Sequence, residues 1–175
     1  MSNYRFDRLR VLVVDDNQHM RKLVATILRG FGVVQLYEAA SAEQAWAMLR
    51  ESNPDVILLD CILEGMSGLE LAQKIRTSPA SPNPLVSIVM LTGDTHIDRV
   101  RQARDAGINE FLAKPVSVKG LLTRLSAVIE NPRPFVRTAE YFGPCRRRRN
   151  YNEYQGPERR TKPAVSAGLV GSDAA

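Results

Sequence analysis

Runs of apolar residues alternate with segments of helical repeat along residues 10–131, and this pattern predicts five strands that are each followed by a helix. The runs at 56–60 and 85–92 are apolar throughout and lack the alternation of a half-exposed strand. Such runs are typical of parallel strands that are covered on both faces. The other predicted strands are 11–15, 33–39 and 110–113.

The segments between these strands carry apolar residues at steps of three and four, as helices with one buried face do. Asn17 is a candidate cap for the first helix, and Ser41 with Gln44 forms a capping box for the second. Later helices are predicted over 67–75, over 97–106 and from residue 118 onward. The predicted inward residues are Met20, Leu23, Val24, Ile27, Leu28 and Phe31 in the first helix, Ala45, Trp46 and Leu49 in the second, and Val118, Leu121, Leu122, Leu125, Val128 and Ile129 in the last.

Five strand–helix units predict an α/β fold, a doubly wound parallel sheet with helices on both faces, because crossovers between parallel strands are right-handed. The strand order 2-1-3-4-5 is expected by analogy with flavodoxin-like sheets, since local periodicity does not fix it. On such sheets, ligands gather beyond the carboxyl ends of the strands. The residues at those ends are therefore the candidates for chemistry.

Polar residues stand at the carboxyl ends of four predicted strands: Asp15, Asp16, Asp60, Thr92 and Lys114. Carboxylates at the ends of buried strands are costly unless they bind a cation or another partner. The sequence therefore predicts one acidic, metal-dependent site that faces a lysine. This combination suits phosphoryl transfer onto a carboxylate, with Asp60 as the central residue.

The chain has 175 residues, 44% of them hydrophobic, which is enough for one packed domain with an appendage. Residues 1–130 hold 15 basic and 15 acidic residues, so the net charge of +5 comes from the 9 basic and 4 acidic residues that follow. Cys61 and Cys145 lack metal-type spacing, and no leader or membrane-spanning run is visible, so we expect a cytoplasmic protein.

Residues 132–175 are basic and rich in proline, and we expect them to form a largely irregular, disordered tail. The tail repeats the motif Glu-Tyr-x-Gly-Pro-x-Arg-Arg at 140–147 and 153–160. It is either a solubilising segment or a partner-binding arm for nucleic acid or an acidic protein face. The candidate binding residues in it are Arg146, Arg147, Arg159 and Arg160. It leaves no room for a winged-helix output domain.

As a set, five motifs resemble the receiver domain of bacterial two-component response regulators. They are VVDDN at 13–17, LLD at 58–60, GMSG at 65–68, LTG at 91–93 and FLAKP at 111–115. The resemblance covers about residues 9–131, which leaves 1–8 as an N-terminal extension. It implies a phosphorylated aspartate, a magnesium cofactor and, as phosphoryl donor, a histidine kinase or a histidine phosphotransfer protein.

The resemblance also assigns roles to residues of this chain. Asp60 would be the phosphorylated nucleophile, with Thr92 and Lys114 contacting the phosphoryl oxygens. Asp15, Asp16, Asp60 and the backbone carbonyl of Ile62 would hold Mg²⁺. Thr92 and Phe111 would act as switch residues, although threonine also suits a strand and an aromatic side chain suits a core. A cis bond before Pro115 would aim Lys114 inward.

Two positions depart from the family pattern, and three other functions are alternatives to it. Glu64 stands where the family usually has proline, and the apolar side chain of Ile62 cannot position an attacking water. An aspartate-nucleophile phosphatase would need a second carboxylate at Ile62, and a nucleic-acid-binding regulator would depend on the tail. A nucleotide-binding enzyme is least favoured, because GMSG lacks the glycine pattern that dinucleotides need.

The resemblance places the signalling surface on the predicted helix 97–106, the fifth strand and the last helix. Arg99 and Arg104 are candidate partner contacts there, and an ordinary solvated helix face is the alternative interpretation. A homodimer through the same face is possible under the resemblance. The sequence names neither the kinase nor the downstream partner.

Overall fold

The computed structural model describes residues 6–93, 102, 104–139 and 141–145, and its centre is a five-stranded parallel sheet. The strand order is β2-β1-β3-β4-β5, which confirms the predicted α/β fold and its topology. The strands are β1 (Arg10–Val14), β2 (Gln35–Ala39), β3 (Val56–Asp60), β4 (Ser87–Thr92) and β5 (Glu110–Ala113). β2 and β4 start two residues later than the sequence predicted.

Among the helices whose bounds the structure describes, three connect successive strands and a fourth follows β5, while a short 3-10 helix, Phe6–Arg8, precedes β1. Asn17, Ser41, Ser67 and Ser117 cap the four helices with their side chains. The helices are α1 (Gln18–Gly30), α2 (Ala42–Ser52), α3 (Gly68–Thr77) and α4 (Val118–Glu130). Most of the predicted helix 97–106 lies outside the described residues. No described helix has the length and hydropathy of a membrane span.

Helices pack on both faces of the sheet, because alternate residues of each strand point to opposite sides. Leu12 and Val14 of β1 join one apolar cluster with the buried faces of α2 and α3. Val11 and Val13 join the other cluster with those of α1 and α4. The central strands β1, β3 and β4 are therefore buried between two helical layers, whereas the edge strand β2 is largely exposed.

The buried apolar faces of α1 and α4 contain fewer residues than the sequence predicted. Leu23 of α1 and Val118 and Leu122 of α4 are 47%, 57% and 36% exposed, so their predicted inward orientation is wrong. Apolar residues at the edge of a stripe satisfy the helical repeat but lie beyond the part of the helix that the sheet covers. Val24, Leu28, Leu121 and Leu125 fill that covered part.

A small antiparallel hairpin follows α4, in the segment that was predicted as an irregular tail. Its strands are β6 (Phe135–Arg137) and β7 (Phe142–Pro144), and Phe135 pairs with Pro144. The sequence prediction missed this hairpin, which contains the Tyr-x-Gly-Pro part of the first motif copy, residues 141–144. The rest of the tail, residues 146–175, lies outside the described residues.

The hairpin packs over a buried arginine on α3. Arg76 donates from Nε to Gly107 O at 3.0 Å, from Nη1 to Pro84 O at 2.7 Å and from Nη2 to Asn109 Oδ1 at 3.0 Å. The ring of Phe135 covers the guanidinium, with its centroid 4.9 Å from Cζ. Burial lowers the pKa of Arg76 to about 9, which leaves the side chain charged at neutral pH. The partners of Arg76 precede β4 and β5, so the hairpin docks at the amino ends of the strands.

Two glycines allow the hairpin to approach the domain closely. Gly107 has a φ of +84°, and a Cβ added to Gly143 would lie 2.8 Å from the Cα of Gly107. Arg133, just before β6, donates from Nη2 to Glu110 Oε1 at 3.4 Å and from Nη1 to Cys145 O at 3.4 Å. The hairpin is therefore tied to the beginning of β5 as well as to α3.

Candidate functional site

Three carboxylates converge at the carboxyl edge of the sheet. Asp15 and Asp16 follow β1, Asp60 ends β3, and Val14 of β1 is the register partner of Leu59. One oxygen from each carboxylate lies within 4.8 Å of the others. Asp15 and Asp60 are buried and Asp16 is exposed, so the cluster is open to solvent on one side.

Lys114, the residue after β5, bridges two of these carboxylates. Its Nζ lies 3.0 Å from Asp15 Oδ2 and 2.9 Å from Asp60 Oδ2. The backbone N–H of Lys114 donates to Thr92 O at 2.7 Å, and this contact continues the pairing of β4 with β5. Strand pairing therefore places the ammonium group over Asp60.

Burial sets the electrostatics of Asp60. It raises the pKa of the Asp60 carboxyl above its usual range, because it outweighs the opposing hydrogen bond from Lys114. Burial acts against the charged form of Lys114, but the hydrogen bonds to Asp60 and Asp15 prevail and raise the pKa of Lys114. Lys114 thus stays cationic, while its contact with Asp60 offsets only part of the cost of burying the ionised carboxylate.

The loop that carries Asp15 and Asp16 is held by several hydrogen bonds. Asp15 N donates to Ala39 O at 3.2 Å, and Asn17 N donates to Asp15 Oδ1 at 2.9 Å. Arg21 Nη1 donates to Asp15 O at 2.7 Å and to Asp16 O at 3.2 Å. Sequence reasoning missed Arg21, because a contact with a backbone carbonyl leaves no signal in the partner's residue type.

The backbone of Asp60 lies against the beginning of α3. A Cβ added to Gly68 would overlap the carbonyl oxygen of Asp60 and would lie 3.0 Å from its carbonyl carbon. Gly68 N donates to Cys61 O at 3.0 Å, which ties the two segments together. Gly68 belongs to one of the motifs that indicated the family, but the sequence did not show that it contacts Asp60.

A family comparison decides what this arrangement of acids and lysine is. The family model described as the response regulator receiver domain matches residues 11–126. The chain belongs to the response regulator receiver family. The match includes every member of the acidic cluster as well as Thr92 and Lys114.

Curated relatives and solved structures agree with this membership of the receiver family. The chain is 34% identical over 71% of its length to the phosphate regulon transcriptional regulatory protein PhoB of Pseudomonas aeruginosa, and spans 53% of that protein. It is 27% identical over 70% of its length to chemotaxis protein CheY of the same species, and spans 97% of it. The structure of chemotaxis protein CheY4 of Vibrio cholerae matches with a TM-score of 0.63 at 29% identity, covering 69% of this chain and 98% of CheY4. Each of these matches covers about 70% of this chain.

The other predicted site residues lie on β4, on β5 and in the segments that follow β3 and β5. Thr92 ends β4 and is buried, and Phe111 on β5 packs partly buried against the α2–α3 side of the core. The Lys114–Pro115 peptide bond is cis, the form that the resemblance implied. The N–H of Ile62 lies 3.4 Å from Asp60 Oδ1, while the Ile62 side chain is 76% exposed. The roles of these residues in switching and metal binding stay predictions.

The predicted partner residues are described only in small part. Arg104 is exposed, and its Nε lies 3.4 Å from Asp105 Oδ1. Arg99, Arg146, Arg147, Arg159 and Arg160 lie outside the described residues. Their roles stay predictions, as does the homodimer face formed by the predicted helix 97–106, the fifth strand and the last helix.

The receiver's acidic cluster has the donor set that a hard divalent cation uses. Magnesium binds carboxylate and carbonyl oxygens and keeps several of its waters, so a half-open site with few carboxylates fits it. The exposed position of Asp16 leaves room for such waters, and the buried positions of Asp15 and Asp60 fix two ligands. Asp15, Asp16 and Asp60 are the residues that would hold the ion.

The raised pKa of Asp60 makes a prediction about stability in magnesium-free buffer. Asp60→Asn should increase the free energy of unfolding at neutral pH by about 1 kcal/mol, because it removes a charge whose burial is costly. As the pH falls through the folded-state pKa, the native carboxyl becomes neutral and the gain should shrink. Urea unfolding at a series of pH values measures this difference.

Asp55→Asn is the matched control for that measurement. Asp55 stands just before β3 and pairs with Arg10 Nη2 at 2.9 Å. Its replacement should cost stability at neutral pH, because it breaks a partly buried ion pair. If Asp60→Asn also destabilised the protein at neutral pH, the pair with Lys114 would outweigh burial and our account of Asp60 would be wrong.

Proposed function

We propose that this chain is a response regulator receiver that accepts a phosphoryl group on Asp60 in a magnesium-dependent reaction. The observation that supports it is the position of Asp60, with Lys114 Nζ at 2.9 Å and the Asp15 and Asp16 carboxylates within 4.8 Å. The donor is a histidine kinase or a histidine phosphotransfer protein. Asp16 is the exposed member of this cluster, so the cluster is open to solvent on that side.

In the proposed reaction, a carboxylate oxygen of Asp60 forms a bond to the phosphorus atom. The phosphorus–nitrogen bond of the donor histidine breaks, and the nitrogen keeps the electron pair. Bound magnesium supplies the neutralisation of charge that an anionic nucleophile and an anionic phosphoryl group require. Lys114 adds a fixed cation at Asp60, and Thr92 at the end of β4 offers a hydroxyl to the phosphoryl oxygens.

Phosphorylation then acts as a signal by changing protein–protein binding, and no catalysed turnover of a separate substrate is part of the proposal. Thr92 and Lys114 can contact the added phosphoryl charge only in the phosphorylated state. These contacts therefore favour one conformation after phosphorylation. Thr92 and Phe111 are the proposed switch residues. Such signalling from a kinase places the protein in the cytoplasm.

The alternative functions have less support. A phosphatase with an aspartate nucleophile needs a general acid at Ile62, whose side chain is apolar and turned to solvent. A nucleic-acid-binding role would depend on arginines that lie outside the described residues. Phosphoryl acceptance is therefore the function that the described geometry supports best.

Incubation with magnesium and acetyl phosphate tests the proposal directly. Intact-mass measurement should show one added phosphoryl group on the native chain, with none on Asp60→Asn and none when magnesium is chelated. Asp55→Asn, at the other end of the same strand, should be modified like the native chain. Equal phosphorylation of Asp60→Asn and the native chain would refute the assignment of the acceptor.

A further inference from the structure

Arg21 reaches back from the first turns of α1 to the loop that carries Asp15 and Asp16. Its Nη1 donates to the backbone carbonyl oxygens of Asp15 and Asp16, at 2.7 and 3.2 Å. Its Nε lies 3.6 Å from Glu38 Oε2 near the end of β2. The side chain is only 15% exposed. Arg21 therefore joins the acidic loop to two neighbouring elements.

Helix stability does not explain an arginine at this position. The amino end of a helix carries partial positive charge, so a cation there is unfavourable and an acidic residue is favoured. The first turn of α1 has no acidic residue, and Asn17 already caps it through His19 N and Met20 N. The contacts of Arg21 with the loop offset this unfavourable position.

Because Arg21 binds backbone carbonyl oxygens, it leaves the carboxylates available to a cation. Asp15 Oδ2 is already held by Lys114 and Asp15 Oδ1 by Asn17 N. A second cation on the carboxylates would compete with a bound metal ion for the same oxygens. Arg21 instead holds the backbone of Asp15 and Asp16. The two carboxylates therefore stay close together despite their like charge, and their remaining lone pairs stay free to bind a cation.

We propose that Arg21 is a positioning residue that preorganises Asp15 and Asp16 for divalent cation binding. This inference rests on the proposed function for its purpose, but cation affinity tests it without any phosphorylation. Partners behind a metal ligand commonly contribute about tenfold to affinity. Arg21→Gln should therefore raise the dissociation constant for Mg²⁺ about tenfold, because the loop loses its fixed orientation.

Two readouts on the full chain separate positioning from a merely structural role. Calorimetric titration with Mg²⁺ alone gives the affinity, and acetyl phosphate kinetics over a series of Mg²⁺ concentrations give a half-saturating concentration and a maximal rate. For Arg21→Gln we expect the half-saturating concentration to rise about tenfold, with a maximal rate within about twofold of the native value. Arg21→Lys, which keeps the charge, should recover part of the affinity.

Lys22→Gln is the matched control, because it removes one positive charge from the adjacent, exposed position. It should bind Mg²⁺ like the native chain or slightly more tightly, because a nearby positive charge repels the cation. Equal affinities of Arg21→Gln and Lys22→Gln would overturn the proposal, as would a maximal rate that falls with no change in affinity.

If Arg21→Gln does not fold, Arg21→Lys tests the proposal instead, because lysine keeps the charge but lacks the several N–H donors of the guanidinium group. Native affinity in Arg21→Lys would count against positioning by that group, and weakened affinity would support it. Native Mg²⁺ binding without phosphorylation would refute the proposed function and leave this inference standing.

Discussion

Gly68→Ala is expected to lower the free energy of unfolding by about 3 kcal/mol and to slow phosphorylation of Asp60. The added methyl group would overlap the Asp60 carbonyl oxygen and lie 3.2 Å from Cys61 Cα. Backbone atoms cannot move aside as a flexible side chain can, so α3 or the end of β3 must shift. A shift of β3 changes the distance from Asp60 Oδ2 to Lys114, which is 2.9 Å in the native fold.

Urea unfolding and acetyl phosphate kinetics measure the two effects, and Gly30→Ala serves as the control. A Cβ at Gly30, the last residue of α1, meets no atom within 4 Å. That substitution should leave phosphorylation unchanged and add up to about 1 kcal/mol of stability, because alanine favours a helix. Native stability in Gly68→Ala would show that the contact between α3 and Asp60 is looser than described.

Arg76→Met is expected to cost about 3 to 5 kcal/mol of stability, because it leaves buried hydrogen-bond acceptors without a donor. The substitution keeps much of the apolar contact with Phe135 but leaves three oxygens that now accept hydrogen bonds from Arg76 without that donor. Asn109 connects this site to the sheet, because its Oδ1 also accepts from Ile88 N at the start of β4 and keeps that donor in the variant. The loss should therefore spread from the hairpin into the sheet.

Hydrogen exchange measured with urea unfolding shows where the loss of Arg76 acts. In Arg76→Met, amides of β6 and β7 should exchange faster than in the native chain, ahead of those in β1 and β3. Arg50→Met on the exposed face of α2 is the control, and it should change stability by less than about 0.5 kcal/mol. Unchanged exchange in the hairpin would mean that Arg76 does not hold it.

The strands and the site could be predicted because their signals are local. The run at β3 is fully apolar up to Asp60, and a carboxylate at such a position stands out in the chain. Once the topology is that of a parallel sheet, Asp15, Asp60 and Lys114 must meet at one edge. The chemical types of a few residues and one topological rule were enough to place them together.

The remaining features depend on contacts between distant parts of the chain. The three-residue strands β6 and β7 have little strand signal of their own, and they are held by Arg76 and Gly107 from other elements. The stripe on α4 shows which residues share a face, but only the packed sheet shows that Val118 lies outside the covered part. Such features follow from the assembled fold and could not be derived from periodicity.

The docked hairpin also fixes the position of Cys145 relative to the acidic cluster. Cys145 N donates to Pro134 O at 2.8 Å at the amino side of the sheet, whereas Asp60 lies at the carboxyl side. A six-residue strand such as β4 separates the two sides by about 20 Å. A fluorescent reporter joined after Cys145 would start its path on the opposite side from an approaching kinase, so the acceptor edge would stay accessible to it.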